Sequence, residues 1–353
     1  MTFDNNAPRL DVTGTIMDAH DGRVQFYNGL YYLYAVEYGL CVEPYPTGCV
    51  QTSDKCGFRL DHNISIWTSP TLASGSWTFQ AYAFPWIERP AGTLFRPDVV
   101  YNQKTKQYVL WWNWVASNGT YMGYAAATSA SPAGPFVLKT AQTNLTRNNA
   151  TFHAGDGHIF VDPKDQKAYF IYGANYYMGL EELTSDYLAS TGKSVMFSEY
   201  FIESPFMFVR QNVYYALFGH CCCFCFQGSG VIVHTAPTPM GPWKTQGDVA
   251  CRTGLKSQTS TTTLLGMQPT PGQGCLYNGS TDVSVTRSQQ NFVVEVGAPG
   301  NETFLWVGDR WSQAPDGLKG HDPTYVAPLV FGEDGSIETM KWVDSFTVDM
   351  LAF

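Results

Sequence analysis

One short pattern recurs along this chain and limits what it can become: a polar or acidic residue at the head of an apolar strand, a tight polar turn, and a second strand led by aromatics. The clearest copy runs from Glu203 through the turn at Arg210, Gln211 and Asn212 to Tyr214, Tyr215 and Gly219. Others start at Asp21 and lead to Tyr31 and Tyr32, at Asp98 leading to Tyr108, and at Asp156 leading to Tyr169; a weaker fifth runs from Gln289 to Phe304. Each reads as a β-hairpin with a polar group at its mouth. Repeats of this kind, about 50 to 85 residues apart and rich in β formers, are the signature of propeller blades.

A second pattern follows the hairpins. Ser69-Pro70 leads to Gly75 and Trp77, Ser131-Pro132 to Gly134 and Phe136, and Ala236-Pro237 to Gly241 and Trp243. The outer half of a blade is therefore repeated too. With 15% aromatic and 14% charged residues and many Gly and Pro, the composition favours short strands and turns over helices. The expectation is an all-β, five-bladed β-propeller forming a single domain over residues 1–353, with Gly179 to Leu188 as the one helix candidate. The strands of the final segment, Tyr325 to Phe331, Gly335 to Trp342 and from Phe346 on, are expected to complete the last blade together with the N-terminal segment.

The net charge of −9 and the absence of any basic stripe argue against a nucleic-acid partner. No apolar run reaches the roughly 18 to 20 residues that a membrane-spanning helix needs. The first residues show neither a charged n-region nor an apolar h-region. Six sites fit the N-glycosylation pattern, at Asn63, Asn118, Asn144, Asn149, Asn278 and Asn301, and nine cysteines are present. Cys41, Cys49 and Cys56 sit in one irregular stretch, Cys251 and Cys275 bracket a Ser/Thr/Gly/Pro-rich insertion, and Cys221, Cys222, Cys223 and Cys225 form a run. Disulfides account for these better than a metal, because adjacent cysteines on an extended run point to opposite sides. The reading is a secreted, disulfide-bonded glycoprotein, acting as a monomer.

If every blade starts near the central axis, Asp21, Asp98, Asp156, Glu203 and Gln289 converge there. Carboxylates crowded together raise one another's pKa, which supplies a general acid beside a base. Cleavage of a glycosidic bond needs such a pair, about 6.5 to 9.5 Å apart if water is to enter between them and invert the anomeric centre.

The ordered set His20-Asp21-Gly22-Arg23-Val24 with Tyr31-Tyr32, Phe95-Arg96-Pro97-Asp98, Asp156 to Phe160, Glu203-Ser204-Pro205 and Gly308-Asp309-Arg310-Trp311 resembles glycoside hydrolase family 43, and within it the exo-β-1,3-galactanase branch. The resemblance covers about residues 15 to 350. It implies Glu203 as general acid, Asp98 as the aspartate that tunes that acid, and Asp21 as the base. The galactanase branch carries glycine where Asp21 stands and leans on a fifth-blade glutamine, which Gln289 matches. It also carries a glutamate where this chain has Phe95.

The substrate implied is an oligo- or polysaccharide of plant or algal type, first β-1,3-galactan, then α-L-arabinofuranoside or β-xyloside linkages. No cofactor is required, although the family sometimes holds a structural calcium in its axial channel. Some roles stay open. His20 either binds substrate or satisfies a turn, and Arg310 either clamps a sugar or a site carboxylate or forms a structural ion pair. Of Trp111, Trp112, Trp114 and Trp311, one or two stack on sugar faces while the rest pack between blades. His153 and His158 flank Asp156 without a metal-like spacing. A carbohydrate-binding propeller without catalysis is the rival reading; a WD-type interaction propeller lacks its repeat signature here.

Overall fold

The structure is a computed structural model that describes residues 1–43, 56–146, 154–175, 177–200, 202–220, 226, 228–250, 284–298 and 300–349. A short strand, β1 (Thr2–Asp4), precedes the first blade, which is formed by β2 (His20–Tyr27), β3 (Leu30–Val36), β4 (Ile64–Ser69) and β5 (Thr78–Tyr82). The second blade holds β6 (Gly92–Asn102), β7 (Gln107–Ala116), β8 (Met122–Ser129) and β9 (Val137–Thr140). The third holds β10 (Ala154–Val161), β11 (Ala168–Ala174), β12 (Tyr177–Leu183) and β13 (Ser190–Met196). The fourth holds β14 (Ile202–Arg210), β15 (Val213–His220), β16 (Gly230–Ala236) and β17 (Lys244–Asp248). Among the described residues the fifth has three strands, β18 (Gln289–Ala298), β19 (Asn301–Asp309) and β20 (Thr324–Pro328), and a strand β21 (Ser345–Thr347) follows.

Each blade is an antiparallel meander whose strands pair in chain order. The first strands β2, β6, β10, β14 and β18 neighbour one another in that order, and β18 returns to β2, so the ring is closed and the first strand of each blade is the innermost. The five-bladed expectation is met.

The hairpins that open the blades use turn chemistry the sequence supplies. Asn28 and Gly29, with φ of 53° and 81°, join β2 to β3, and Gln211 and Asn212, with φ of 49° and 65°, join β14 to β15. Two successive positive φ values match the twist of a two-residue hairpin. Middle strands are buried along nearly their whole length, as in Leu30–Val36 and Ala168–Ala174, because blades cover both faces of each sheet. Trp112, Phe84 and Leu110 fill the space between the first two blades, and Phe208, Phe292 and Trp306 that between the last two and the first.

Two expectations are corrected. Residues 179–183 belong to strand β12, not a helix, because the segment pairs with β11 and β13 on both sides. The segment from Tyr325 does supply a strand of the last blade, β20, but the N-terminal segment does not join it: β1 and β21 form a separate two-stranded ribbon. Asn5 fastens that ribbon to the fifth blade, with Nδ2 donating to the Val326 and Val343 carbonyls and Oδ1 accepting from Val326 N. Cys41 and Cys56 form a disulfide. Cys49, Cys221, Cys222, Cys223, Cys225, Cys251, Cys275, His153, Asn149 and Asn278 lie outside the described residues.

Candidate active site

Every innermost strand breaks register near its start. Bulges fall between His20 and Arg23, Phe95 and Asp98, Ala154 and Gly157, Glu203 and Phe206, and Gln290 and Phe292. A bulge bends its strand and re-aims a side chain. Here it does so five times around one axis, and the side chains it turns inward meet.

Arg96 is where they meet. Its Nε lies 3.2 Å from Asp21 Oδ1 and 3.4 Å from Asp156 Oδ2. Its Nη1 donates to Asn291 Oδ1 at 2.7 Å and its Nη2 to Ser204 Oγ at 2.6 Å. The second blade thus gives the guanidinium, and each of the other four gives one partner. Asp156 Oδ2 also accepts from the Ser204 backbone N–H at 3.0 Å and its hydroxyl at 2.9 Å. Asp309 Oδ2 closes the ring, accepting from Asn291 Nδ2 at 2.8 Å and from Asp21 N at 3.1 Å. Asp21, Arg96 and Ser204 all hold φ near +50°. For residues with a Cβ this is strained backbone, of the sort that collects at functional sites.

Beside this ring stands Glu203. Burial pushes its carboxyl up, Asp156 and Asp21 push it further against the pull of Arg96 and of the Gln289 hydrogen bond, and it reaches about 8. Gln289 Nε2 donates to Glu203 Oε2 at 3.2 Å, while Trp311 Nε1 donates to Gln289 Oε1 at 2.7 Å. An indole nitrogen can only donate, so the amide is held with its oxygen toward Trp311 and its NH2 toward the acid. Asp21, 3% exposed, accepts from Tyr38 OH at 2.5 Å. Burial raises it, Arg96 pulls it down, Asp309 and Asp156 raise it again, and it settles at about 6.

A second tier lies two residues further along the same strands. Arg23 Nη1 donates to Asp98 Oδ1 and Oδ2 at 3.0 and 2.9 Å and to the Ile159 carbonyl at 2.6 Å, and it lies 3.0 Å from His158 Nδ1. His158 Nδ1 is 2.6 Å from Asp98 Oδ2, and its ring stacks on Phe206 at 4.2 Å between centroids. Burial would raise Asp98, but Arg23 and His158 outweigh it and hold the carboxylate below its ordinary value.

The sequence-predicted set therefore divides. Glu203, Asp21, Asp156 and Gln289 come together as expected. Asp98 is bound to Arg23 and His158, while Asp156 and Asp21 are the carboxyl groups that raise Glu203, so Asp156 holds the place beside the acid that the resemblance gives to Asp98. Arg310 directs its guanidinium to the Asn5 carbonyl, to Gln313 Oε1 and over the Trp342 ring, which is the structural reading. Trp112 is core, edge-on to Phe84. Trp311 is wholly buried and orients Gln289 from behind. His20, 1% exposed, lies against Tyr38 and Trp311 with Nε2 3.2 Å from the Gly320 carbonyl, so it supports the wall of the site.

Arg96, Ser204 and Asp309 stand in the motifs quoted above without a role of their own, and Asn291 and Tyr38 were not singled out from sequence. One signal was present: Arg96-Pro97 and Ser204-Pro205 place a proline inside the corresponding bulge of each strand, which aligns Arg96, not Asp98, with the inward position.

No protein-family model matches this chain, and no curated protein is similar to it in sequence. Solved structures are. An exo-β-1,3-galactanase from Phanerochaete chrysosporium, solved with β-1,3-galactotriose, superposes with a TM-score of 0.70 at 20% identity over 99% of this chain and 68% of that one. An exo-β-1,3-galactanase from Clostridium thermocellum gives 0.69 at 21% identity over 98% and 66%. A family 43 β-1,3-galactosidase solved with galactodeoxynojirimycin gives 0.70 at 19% identity over 97% and 99%. At these identities the agreement is one of fold, and it is the fold that the family resemblance implied.

Proposed function

We propose that this protein is an inverting glycoside hydrolase of the family 43 type. The observation that carries the reading is the pair of carboxyl groups set apart by their surroundings, Glu203 at about 8 and Asp21 at about 6. Two titratable groups pushed apart in this way are an acid and a base at neutral pH. Glu203 gives its proton to the glycosidic oxygen as the bond to the anomeric carbon breaks. Water attacks that carbon from the opposite face and loses a proton to Asp21. Asp156 keeps Glu203 protonated until the sugar arrives. Gln289 offers an N–H, so it stabilises the Glu203 carboxylate after transfer and leaves the base role to Asp21.

β-1,3-Linked galactan, taken from a chain end, is the substrate we infer first, supported by the galactotriose bound in the Phanerochaete structure and by the fold shared with it. α-L-Arabinofuranosides and β-xylosides follow. The Cys41–Cys56 disulfide and the glycosylation patterns support work outside the cell.

The axial channel does not fit calcium. Two carboxylate oxygens, an imidazole nitrogen and a carbonyl, the donors such an ion would need, already converge within 3.0 Å of Arg23 Nη1. A divalent cation there would sit against a guanidinium.

The test is hydrolysis of galactan, arabinan and xylan oligosaccharides by the wild type and by Glu203→Gln. Sugar release that falls by about three or more orders of magnitude in the variant supports the reading. Binding without release by either protein rejects it in favour of a binding propeller.

A further inference from the structure

Between β19 and β20 a single 3-10 turn, Lys319–His321, carries a lysine into the interior. The Lys319 side chain is wholly buried. Its ammonium is 2.8 Å from Glu43 Oε2 and 3.9 Å from Asp322 Oδ2, and it stands over two ring faces, 4.4 Å from the centre of Trp311 and 5.3 Å from that of Tyr38. The reaction proposed above gives this lysine no part.

Burying an ammonium is costly, and an interior ion pair is a poorer source of stability than apolar side chains of the same volume. What the charge does to the two rings is more specific. A cation within about 6 Å of a ring centre is held by the electron density of the face. The same attraction draws density away from the polar edge of the ring, which makes the O–H or N–H there a stronger donor. Both edges end in the central site: Tyr38 OH donates to Asp21 Oδ2 at 2.5 Å, and Trp311 Nε1 to Gln289 Oε1 at 2.7 Å. One buried charge therefore stands behind the hydrogen bond that fixes the base.

The ammonium is itself held in place. Lys319 N donates to the Cys41 carbonyl at 2.9 Å and Glu43 N to the Gly317 carbonyl at 3.1 Å, so the segment that the Cys41–Cys56 disulfide closes sets where the Glu43 carboxylate stands. Asp322 accepts from the backbone N–H groups of Ser312, Gln313 and Ala314, which fixes the second carboxylate. Asp21 is also faced by Arg96, Asp309 and Asp156, and His20, which lies against both rings, is 3.7 Å from Asp18 and from Asp309.

We propose that Lys319 is a positioning residue of the central site: its ammonium, anchored on the Trp311 face, acts through the Tyr38 ring to strengthen the O–H that holds Asp21. The role of Asp21 as base rests on the glycosidase reading.

The pH–rate profile of Lys319→Met tests this, with Lys319→Met/Glu43→Gln beside it so that no carboxylate is left buried without its partner. Methionine keeps the packing of the stem and removes the charge. A weaker donor disfavours the charged form of Asp21, so the limb due to the base, expected near pH 6, should move up by about half a unit to one unit in both variants. At pH 5.5, kcat then falls by about three- to eightfold while KM stays within about twofold. Tyr38→Phe should raise the same limb, and Lys319→Met should add nothing further to it, since the charge acts through that hydroxyl. A limb that stays near pH 6 in the folded variants overturns the proposal and leaves Lys319 a structural ion pair. So does a limb that moves equally with and without the Tyr38 hydroxyl. The carboxyl resonance of Asp21 in protein made with isotope-labelled aspartate, identified by its loss in Asp21→Asn, follows the same titration without substrate. A wild type that releases no sugar sinks the glycosidase reading, and that resonance then decides for or against Lys319 by itself.

Discussion

Arg96 holds four side chains from four other blades, and its positive charge is what lets four carboxyl groups share so small a space. Asp21, Asp156, Asp309, Glu203 and the Tyr38 hydroxyl all face it or its partners. Replacing it by Gln removes the counter-charge from Asp21 and Glu203 together, so both rise. The limb of the pH–rate profile due to the base, expected near pH 6, and the limb due to the acid, expected near pH 8, should both move to higher pH, and activity at pH 7 should fall by about a hundredfold or more as the base is protonated. Arg96→Lys keeps the charge without the fork and should restore the limbs in part. If melting falls and neither limb moves, Arg96 is a structural pin only. Glu203 makes its own prediction. Its folded value of about 8 stands above the ordinary 4.5, so the stability it contributes is full below about pH 4.5 and is lost as pH rises through 8. Glu203→Gln should therefore melt several degrees above the wild type at pH 9, with the gap closing by pH 5.

The bulged inner strand is the element that turns a repeated hairpin into a site. Gly22 shows how tightly it is built: a Cβ there would lie 2.0 Å from the Tyr34 carbonyl oxygen and 2.8 Å from Ala35 Cα, so β2 and β3 cannot stay paired around it. Gly22→Ala should cost about 2 to 4 kcal/mol in a denaturant titration, in the range of core overpacking and backbone strain, and should lower kcat by displacing Asp21. Unchanged stability would mean that the bulge relaxes freely. The same bulges explain what could be read from sequence. Hairpins announce themselves through alternation and turn residues, so the blades, their order and the convergence of Asp21, Asp156, Glu203 and Gln289 were legible. A one-residue register break has no comparable signal. Counting from the leading acid put Asp98 beside Glu203, whereas the bulge gives that inward place to Arg96 and sends Asp98 two residues deeper. The polar partners Ser204 and Asn291 were hidden for the same reason. Gly179 to Leu188 reads as a helix because Leu180, Leu183, Tyr187 and Leu188 recur at helical spacing beside Glu181 and Glu182, whereas pairing with β11 and β13 holds residues 179–183 as a strand.

A closed propeller must fill its axis, and here it does so in two tiers of unlike chemistry. The tier at the bulges is acidic and reactive. The tier beneath is an internal ion cluster in which Asp98, His158 and the Ile159 carbonyl surround the Arg23 guanidinium, with Phe206 under it at 5.0 Å. Arg23 thus does from within the chain what a bound cation would do from outside, and the two can be told apart. Chelator should leave the wild-type melting temperature unchanged, as should millimolar calcium. Arg23→Ala strands a buried carboxylate, and removing one partner of a buried pair costs about 3 to 5 kcal/mol, so the variant should melt well below the wild type. It also opens a space lined by oxygen ligands of the kind calcium takes. Calcium should then raise the melting temperature of Arg23→Ala while doing nothing for the wild type, because only the variant has room for the ion beside Asp98. A wild type that loses stability in chelator would overturn this account of the axis and place a metal in the channel despite Arg23. An Arg23→Ala protein as stable as the wild type would show that the lower tier contributes little to holding the five blades together.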